Sequence, residues 1–457
     1  MIKNTVRYTS ISISLLFISQ YAQATEGLRL EGYGPVSRAM GGTAMAQDTG
    51  TASIMGNPAT MALAPLGKRL SVGADIITAE ITNTDLGSGE KVSSSHESQN
   101  RHPYFAPQIG YTDNRGKWAW GVGAFALGGL GTEYGDKSFL SDGSSGNPTE
   151  LENSSRLFVL DIPLALSYRI NDRLAFGATV DAVWSGMNLN MLLGANQVGS
   201  LVAEGRVGGG LMPTLGGLPA LDGAHLSFTK DKPLSSGADA WGVSGRIGLI
   251  WQATPTTVVG AAYNLGTKLN DLKGKARLTA SDAVLGNIPL DGSIRIKDFQ
   301  MPASLTAGIT HKVNDRWRIS ADLSRVFWND VLKDIDVSFT SAGGGDLNIS
   351  LPQNYKDQTI IALGTSYDIG NWTLRAGYRQ GTEVVPSENL FVTLPVTPTR
   401  IASMGFSYRI AKSGQIDFAY SHNFEIERTN GASTNTGNPV RNKESQNNFV
   451  IGYTARF

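Results

Sequence analysis

The chain contains no cysteine among its 457 residues, and its 39 Lys and Arg residues balance its 39 Asp and Glu residues. The lack of cysteine excludes thiol catalysis and cysteine-ligated metals. The lack of net charge removes the electrostatic basis of nucleic-acid binding, so no nucleic-acid partner is expected. No stretch beyond the N-terminus reaches the roughly 18 consecutive apolar residues that a membrane-spanning helix needs, which argues against a helical membrane protein.

Histidine is also scarce, and none of the five histidines forms a pair at zinc-ligand spacing. The sequence has no G-x-S-x-G, P-loop or dinucleotide fingerprint. The nearest nucleophile–base pair is Ser421 and His422, but neighbours on a strand point to opposite faces. We therefore expect a protein that is not an enzyme, with no catalytic residue, no metal and no cofactor.

The N-terminus has the features of a secretory signal over residues 1–24. Lys3 and Arg7 form a basic end, residues 11–18 form a short apolar segment, and residues 22–24 form a small-residue cleavage site. We therefore expect the chain to be exported and to begin after residue 24 in its mature form.

The last ten residues, 448–457, alternate between an apolar face and a polar or small one. The apolar face carries Phe449, Ile451, Tyr453 and Phe457. Such a strand needs a partner on both sides, because unpaired backbone groups in a bilayer cost several kcal/mol each. A closed barrel in which this strand pairs with the first one meets that need. The alternative is the last strand of a soluble β-sandwich.

Period-2 alternation and turn residues indicate fourteen strands along the chain. The predicted strands are 69–82, 103–113, 117–130, 155–170, 173–187, 238–252, 256–267, 294–312, 316–328, 356–369, 371–380, 399–410, 415–427 and 446–457. Short turns and long loops alternate between them, which is typical of outer-membrane barrels with their long loops outside the cell. The fold class predicted is all-β: a 14-stranded antiparallel transmembrane β-barrel over residues 67–457, with a long extracellular loop at 188–237.

Charged residues of both signs fall on the predicted inner face. They are Asp161, Arg169, Asp181, Arg246, Arg318, Asp322, Arg375, Arg379, Arg409 and Asp417. They form either a network that fills the lumen and fixes a plug or a set that selects substrates.

Residues 25–66 do not alternate, and they are rich in Gly, Ala, Met and Thr. Their apolar content argues against a disordered tail and favours packing inside the barrel. The runs 30–34 and 37–42, followed by Asn57, Pro58 and Ala59, resemble the hatch of the FadL family of outer-membrane transporters of hydrophobic compounds. The likeness is greatest to the aromatic-hydrocarbon branch of that family. It implies a 14-stranded barrel plugged by a hatch at residues 25–66.

The long loop 188–237 carries more Leu, Met and Val than a solvated loop should, which favours a binding site. The residues predicted to bind substrate are Leu189, Met191, Leu192, Leu193, Leu201, Val202, Leu211, Met212 and Leu215. Apolar positions 189, 192 and 193, and again 198, 201 and 202, have helical spacing. The alternative is a pair of helices that only cap the barrel. The resemblance implies a hydrophobic capture groove here and a tighter pocket beside the hatch.

The third predicted strand ends in glycine, at Gly128, Gly129 and Gly131. Glycine permits a strand to bend away from its neighbour. A hydrocarbon gains about 0.8 kcal/mol for each CH2 kept from water, so a sideways exit into the bilayer is favourable. The resemblance implies a lateral opening here, with Gly129 matching the kink. The alternative is that these glycines only end a strand.

The segment 184–201 contains no Lys or Arg that could pair with a carboxylate. The function predicted is therefore passive uptake of small neutral hydrophobic compounds, in particular monoaromatic hydrocarbons, across the outer membrane of a Gram-negative bacterium. Long-chain fatty acid transport by the same fold, a barrel-type outer-membrane hydrolase and a general porin are the alternatives. The expected partners are outer-membrane lipid, lipopolysaccharide and the barrel-assembly machinery, which would recognise Phe457. A monomer is expected.

Overall fold

The computed structural model describes residues 27–94, 104–230, 236–393, 395, 399–410, 413–431 and 434–457. The predicted secretory signal, residues 1–24, lies outside the described residues, as do residues 25 and 26 of the predicted hatch and residues 231–235 of the long loop. Within the part that is described, no helix is both long and apolar enough to cross a membrane.

Among the described residues, the dominant element is one antiparallel sheet of 22 strands. In chain order these are Gly67–Asp85 (β1), Lys91–Ser93 (β2), Tyr104–Asn114 (β3), Trp118–Gly135 (β4), Asn153–Asn171 (β5), Leu174–Gly194 (β6), Val207–Gly208 (β7), Leu221–Phe228 (β8), Ala238–Thr254 (β9), Thr257–Asn264 (β10), Lys268–Leu269 (β11), Leu272–Asp282 (β12), Gly286–Lys297 (β13), Ser304–Lys312 (β14), Trp317–Val326 (β15), Asp334–Ser341 (β16), Asp346–Pro352 (β17), Gln358–Ile369 (β18), Trp372–Gly381 (β19), Arg400–Arg409 (β20), Gly414–Asn430 (β21) and Val440–Arg456 (β22).

The sheet closes on itself into a barrel. Pairing runs from β1 through β3, β4, β5, β6, β9, β10, β14, β15, β18, β19, β20, β21 and β22. It then returns to β1, in a register that extends from Arg69 opposite Arg456 to Asp85 opposite Val440. The prediction that the C-terminal strand pairs with the first strand is confirmed.

The predicted count of fourteen strands is wrong for this sheet, which contains 22. The additional strands β2, β7, β8, β11, β12, β13, β16 and β17 lie in segments that the sequence pattern assigned to loops. The predicted strand 294–312 is also divided, because its first residues belong to β13 and its last to β14. The additional strands extend the wall beyond one end of the barrel, and polar residues on the outer face of β12, β13, β16 and β17 conceal their alternation.

An apolar belt surrounds the barrel. Large apolar side chains alternate outward along the strands, as Leu164 and Leu166 of β5 do with exposed fractions of 60% and 50%. Toward one end, aromatic rings form cross-strand pairs, with centroids 4.3 Å apart for Trp118 and Tyr168 and 4.5 Å apart for Trp372 and Tyr408. This belt with an aromatic girdle is the outer face that a bilayer requires.

The two ends of the barrel differ in their connections. Tight turns such as Arg115–Lys117 between β3 and β4, and Gly370–Asn371 between β18 and β19, lie at the end where β1 begins. We call it the short-turn end. The opposite, long-loop end carries the hairpins β12–β13 and β16–β17 and the helices Ala195–Ala203 (α3) and Met212–Gly216 (α4).

The N-terminal piece, residues 27–66, is the hatch segment. It contains the helices Gly34–Arg38 (α1) and Ser53–Gly56 (α2) and the 3-10 turns Gly50–Ala52 and Pro58–Leu63. Further 3-10 turns lie at Phe139–Ser141, Trp328–Asp330 and Ser387–Asn389.

The hatch segment lies inside the barrel, because it bonds to strands on every side of the ring. The Ala44 amide donates to Asp322 of β15 at 2.7 Å, and the Asn57 side chain donates to the Leu249 carbonyl of β9 at 3.1 Å. The Gly41 amide donates to Ser403 of β20 at 3.0 Å.

Ion pairs join the hatch segment to the wall. The Arg38 guanidinium, almost fully buried, pairs with Glu31 of the hatch and with Asp75 of β1. Arg69 of β1 in turn pairs with Asp48 of the hatch at 2.8 Å. These buried charges have partners, as charges inside a protein must. Their contacts fix the position of the hatch segment in the lumen.

Candidate functional site

An apolar groove of about 270 Å³ lies at the long-loop end between α3, α4 and the strands β6, β8, β12, β16 and β17. We call it the outer groove. Its lining is Met191, Leu193, Ala195, Val198, Gly199, Leu201, Val202, Val207, Met212, Leu215, Gly216, Leu221, Ala224, Leu226, Leu278, Val337, Leu347, Ile349 and Leu351. The sequence builds it by placing Val198, Leu201 and Val202 on one face of α3, while Gln197 accepts a hydrogen bond from the Gly194 amide at 2.9 Å to begin the helix.

Six of the nine residues predicted to bind substrate line this groove. They are Met191, Leu193, Leu201, Val202, Met212 and Leu215. Leu189 lies deeper, in a second cavity. Leu192 is on the opposite face of β6, and Leu211 packs on Gly345 instead.

The helical spacing read from positions 189, 192 and 193 is wrong, because these residues belong to β6. Leu189, Met191 and Leu193 instead share a face through the period of two of a strand. The spacing at 198, 201 and 202 does belong to a helix, α3. Sequence reasoning missed the half of the groove contributed by β8, β12, β16 and β17. The alternation of Leu347, Ile349 and Leu351 is the signal that could have found it.

The described residues that line the outer groove include no charged side chain and no hydrogen-bonding side chain. The nearby Arg206 is occupied, since it pairs with Asp334 at 2.7 Å and with Glu204 at 3.0 Å. The hydrogen bond from Arg206 to Asp334 raises the pKa of Arg206, so its guanidinium stays charged and paired. A carboxylate in the groove would therefore lack a cationic partner.

A smaller cavity of about 20 Å³, the inner cavity, continues the outer groove toward the hatch segment. The two share Met191, Leu226, Val337 and Leu351. The remaining lining of the inner cavity is Met187, Leu189, Phe228, Ile296, Ile335, Gln353 and Phe391. One continuous cluster of buried apolar residues connects this region with Leu28 and Met55 of the hatch and Phe125 and Leu127 of β4.

The wall of the barrel is interrupted between β3 and β4. These strands pair only from Asn114 opposite Ala119 to Gln108 opposite Phe125. Beyond that point, residues 104–107 of β3 pair with β1, and the described residues of β4 pair with β5 and not with β3. We call this gap the β3–β4 opening.

Past the last β3 pair, β4 pairs with the hatch segment on its free side. Gly128 forms an antiparallel bridge with Arg29, the Gly129 amide donates to the Leu28 carbonyl at 2.9 Å, and the Leu30 amide donates to the Leu127 carbonyl at 3.2 Å. The β4–β5 ladder also has an irregularity between Ala126 and Gly128. The strand therefore leaves its neighbour and turns inward.

The three predicted glycines lie at this opening but differ in their surroundings. A Cβ at Gly128 would lie 3.0 Å from the carbonyl carbon of Leu28 and closer still to its oxygen, so only glycine permits the approach of the hatch. A Cβ at Gly129 would lie 2.5 Å from the Leu157 carbonyl oxygen of β5, within the wall. A Cβ at Gly131 would lie 2.6 Å from the Tyr104 hydroxyl, which reaches across from β3.

Asn57, Pro58 and Ala59 are fully packed. Asn57 accepts from the Ala59 amide at 3.1 Å and donates to the Met45 carbonyl at 2.7 Å. A Cβ at Gly177 of β6 would lie 2.5 Å from the Pro58 carbonyl carbon. The structure places this triplet in the contact between hatch and wall.

A polar cavity of about 350 Å³ lies between the hatch segment and the strands of the seam. Its lining includes Arg69, Arg318, Arg375, Arg409 and Arg456 together with Asp48, Asp368 and Asp417. A hydrocarbon that continued through this part of the lumen would lose the free energy gained in the apolar cavities.

A closed barrel with an apolar belt, a lumen filled by its own N-terminal segment and an apolar groove at one end define an outer-membrane transport protein. The chain belongs to the outer membrane protein transport protein family (OMPP1/FadL/TodX), whose model matches residues 15–457. It is a transporter of hydrophobic compounds, and the family consists of transporters and channels, not enzymes. The predicted family is thereby confirmed.

Two solved structures show the likeness over nearly the whole chain. The Pseudomonas putida toluene transporter TodX is 40% identical, with 94% of this chain and 99% of that chain covered and a TM-score of 0.85. The Ralstonia pickettii toluene transporter TbuX is 42% identical, with 94% and 99% covered and a TM-score of 0.80. A long-chain fatty acid transport protein of Escherichia coli O6:H1 is 23% identical over 446 residues, 93% of this chain and 92% of that protein.

Proposed function

We propose that the protein takes up neutral monoaromatic hydrocarbons passively across the outer membrane. The observation that carries this proposal is an outer groove of about 270 Å³ with a wholly apolar described lining. An apolar cavity of about 150 Å³ suffices to bind benzene, so the groove has room for a substituted ring. The similar transporters TodX and TbuX are both described as toluene transporters.

Capture takes place in the outer groove, with the long-loop end facing the exterior. The solute then passes the inner cavity and follows the apolar cluster that ends at Leu28 and Met55 of the hatch. Each step exchanges one apolar surface for another, so none requires an energy source. Flux follows the concentration gradient.

Release takes place sideways through the β3–β4 opening. The break in pairing beyond Gln108 and Phe125, and the inward turn of β4 at Gly128, support this exit. The cation-rich polar cavity at the other side of the hatch supports it too, because a hydrocarbon gains nothing by entering water there.

We further propose how the protein is exported, assembled and surrounded by lipid. A secretory signal at residues 1–24 exports the chain, residues 25–66 form the hatch and residues 67–457 form the barrel. Phe457, whose side chain is exposed, is recognised by the barrel-assembly machinery. The apolar belt contacts outer-membrane lipid and lipopolysaccharide. Because the barrel closes within one chain, the protein functions as a monomer.

The test compares uptake of radiolabelled toluene and of oleate in a strain with and without the gene. We expect the gene to raise the initial rate of toluene uptake and to leave oleate uptake unchanged, because the groove has no cation for a carboxylate. An effect on oleate alone would establish a fatty acid transporter and overturn the neutral-ligand proposal. Barrel assembly is confirmed in parallel by the heat-dependent shift in electrophoretic mobility.

A further inference from the structure

We propose that Gln353 forms a hydrogen-bonding site for a single hydroxyl group on an aromatic solute, so that phenols belong to the transported class. The proposal rests on the function proposed above, because it assumes that solutes pass from the outer groove to the inner cavity. It adds a polar contact at one defined position to an otherwise apolar route.

Gln353 continues the face of β17 that lines the route. Leu347, Ile349 and Leu351 line the outer groove, and Leu351 also lines the inner cavity. Gln353 follows at the same spacing of two residues and lines the inner cavity. It is 3% exposed, so its amide is withdrawn from bulk solvent.

The surroundings of this amide are apolar. Every other residue that lines the inner cavity is Met, Leu, Ile, Val or Phe. The Gln353 main-chain amide is occupied by the Lys333 carbonyl at 2.8 Å. Within the described part of the chain, the Gln353 side chain donates a hydrogen bond from Nε2 to the Pro352 carbonyl at 3.4 Å, which is long for such a bond.

A buried amide with so weak a partner reduces stability, and a leucine here would pack without that cost. The amide therefore indicates a group that arrives with the ligand. Its Oε1 can accept one hydrogen bond and its Nε2 can donate another. A hydroxyl supplies both a donor and an acceptor, while a carboxylate would bring a charge into an apolar site without a cation.

The sizes of the two cavities define the orientation of the ligand. At this bound position the outer groove, about 270 Å³, holds the ring and the inner cavity, about 20 Å³, holds only its substituent, so the inner cavity must widen before the whole solute passes. The ring then lies against the four residues that the two cavities share, and the hydroxyl points inward to Gln353. A phenol is thereby positioned with its hydroxyl group directed into the inner cavity and its ring in the outer groove.

The test measures binding and uptake of toluene and of 4-methylphenol, which differ by one hydroxyl, with the wild-type protein and with Gln353→Leu. We expect Gln353→Leu to weaken 4-methylphenol binding about tenfold and to change toluene binding less than twofold. The control is Leu351→Met, which keeps the volume and adds no hydrogen-bond donor and no strong acceptor, so it should affect both ligands alike.

An unchanged ratio between the two ligands in Gln353→Leu would overturn this assignment. Gln353→Met serves as a second apolar variant of similar length if the leucine variant fails the heat-dependent mobility assay, and the same ratio decides. Failure of the wild-type protein to bind or take up toluene would instead refute the proposed function. The two failures are therefore distinguishable.

Discussion

Substituting Gly128 by alanine tests how the hatch holds the β3–β4 opening. The new Cβ would lie 3.0 Å from the Leu28 carbonyl carbon and from the Arg29 Cα, and closer still to the Leu28 oxygen. Both neighbours are backbone, which cannot rotate away. The chain around Leu28 must therefore move off β4.

That movement breaks two backbone hydrogen bonds, from Gly129 to Leu28 at 2.9 Å and from Leu30 to Leu127 at 3.2 Å. At about 0.5–1.5 kcal/mol each, the local loss is about 1–3 kcal/mol. The β4–β5 ladder on the other edge of the strand, where Gly128 is opposite Val159, is not affected. We therefore expect a barrel that assembles normally while β4 relaxes toward β3 and narrows the opening.

Uptake of toluene by intact cells measures the result, and we expect Gly128→Ala to reduce the initial rate about tenfold, as about 1.4 kcal/mol implies. The matched control is Gly131→Ala on the same strand, because the hydroxyl oxygen and the two ring carbons that its Cβ would meet belong to the Tyr104 side chain, which can rotate aside, and not to backbone. It should keep uptake within twofold. A Gly128→Ala protein that assembles and transports at the wild-type rate would refute the role given to this contact.

Three further variants test the groove and the hatch. Leu215→Asp places an unpaired charge in the outer groove and should weaken toluene binding by at least about tenfold, because a buried Leu contact is also lost. Thr214→Asp, on the exposed side of α4, is the control and should leave toluene binding unchanged. Equal toluene binding by the two variants would contradict the capture role of the groove. Asn57→Ala removes the hydrogen bonds to Met45 and Leu249, so it should make the hatch segment more sensitive to protease without changing the affinity of the outer groove for toluene. Unchanged protease sensitivity would show that these hydrogen bonds do not hold the hatch segment in place. Arg38→Met leaves the buried carboxylates of Glu31 and Asp75 without their cation. It should lower the free energy of unfolding, measured with denaturant, by about 3–5 kcal/mol. A decrease below about 1 kcal/mol would contradict the anchoring role of Arg38.

The barrel could be predicted wherever one strand face meets lipid. The alternation of β5, β6 and β22 is regular where these strands cross the apolar belt, because outward residues there face lipid and are apolar while most inward ones are polar or small. The hairpins β12–β13 and β16–β17 were missed because their outer faces meet water and carry residues such as Lys275, Arg295 and Asp336. Solvated strands of this kind resemble loops in composition.

The site was predictable in part for a related reason. The residues of α3 and β6 are neighbours in sequence, so their apolar spacing was visible. Val337 and Ile349 reach the same groove from segments more than a hundred residues away, and only the folded sheet brings them together. The β3–β4 opening depends on where the pairing between these two strands stops, and the sequence of neither strand alone shows that position. The resemblance implies a kink at Gly129, and the structure places both Gly128 and Gly129 in backbone contact with the hatch.

The most direct measurement closes the opening covalently. The chain has no cysteine, so cysteines introduced at positions 104 and 131 would be the only thiols. A bismaleimide that contains a reducible disulfide can join them across β3 and β4, since Tyr104 already spans this distance to Gly131. We predict that cross-linking reduces toluene uptake to the level of cells without the protein and that reduction restores it, while toluene binding in the outer groove is unchanged. Uptake that continues at the uncross-linked rate through the closed wall would contradict lateral release.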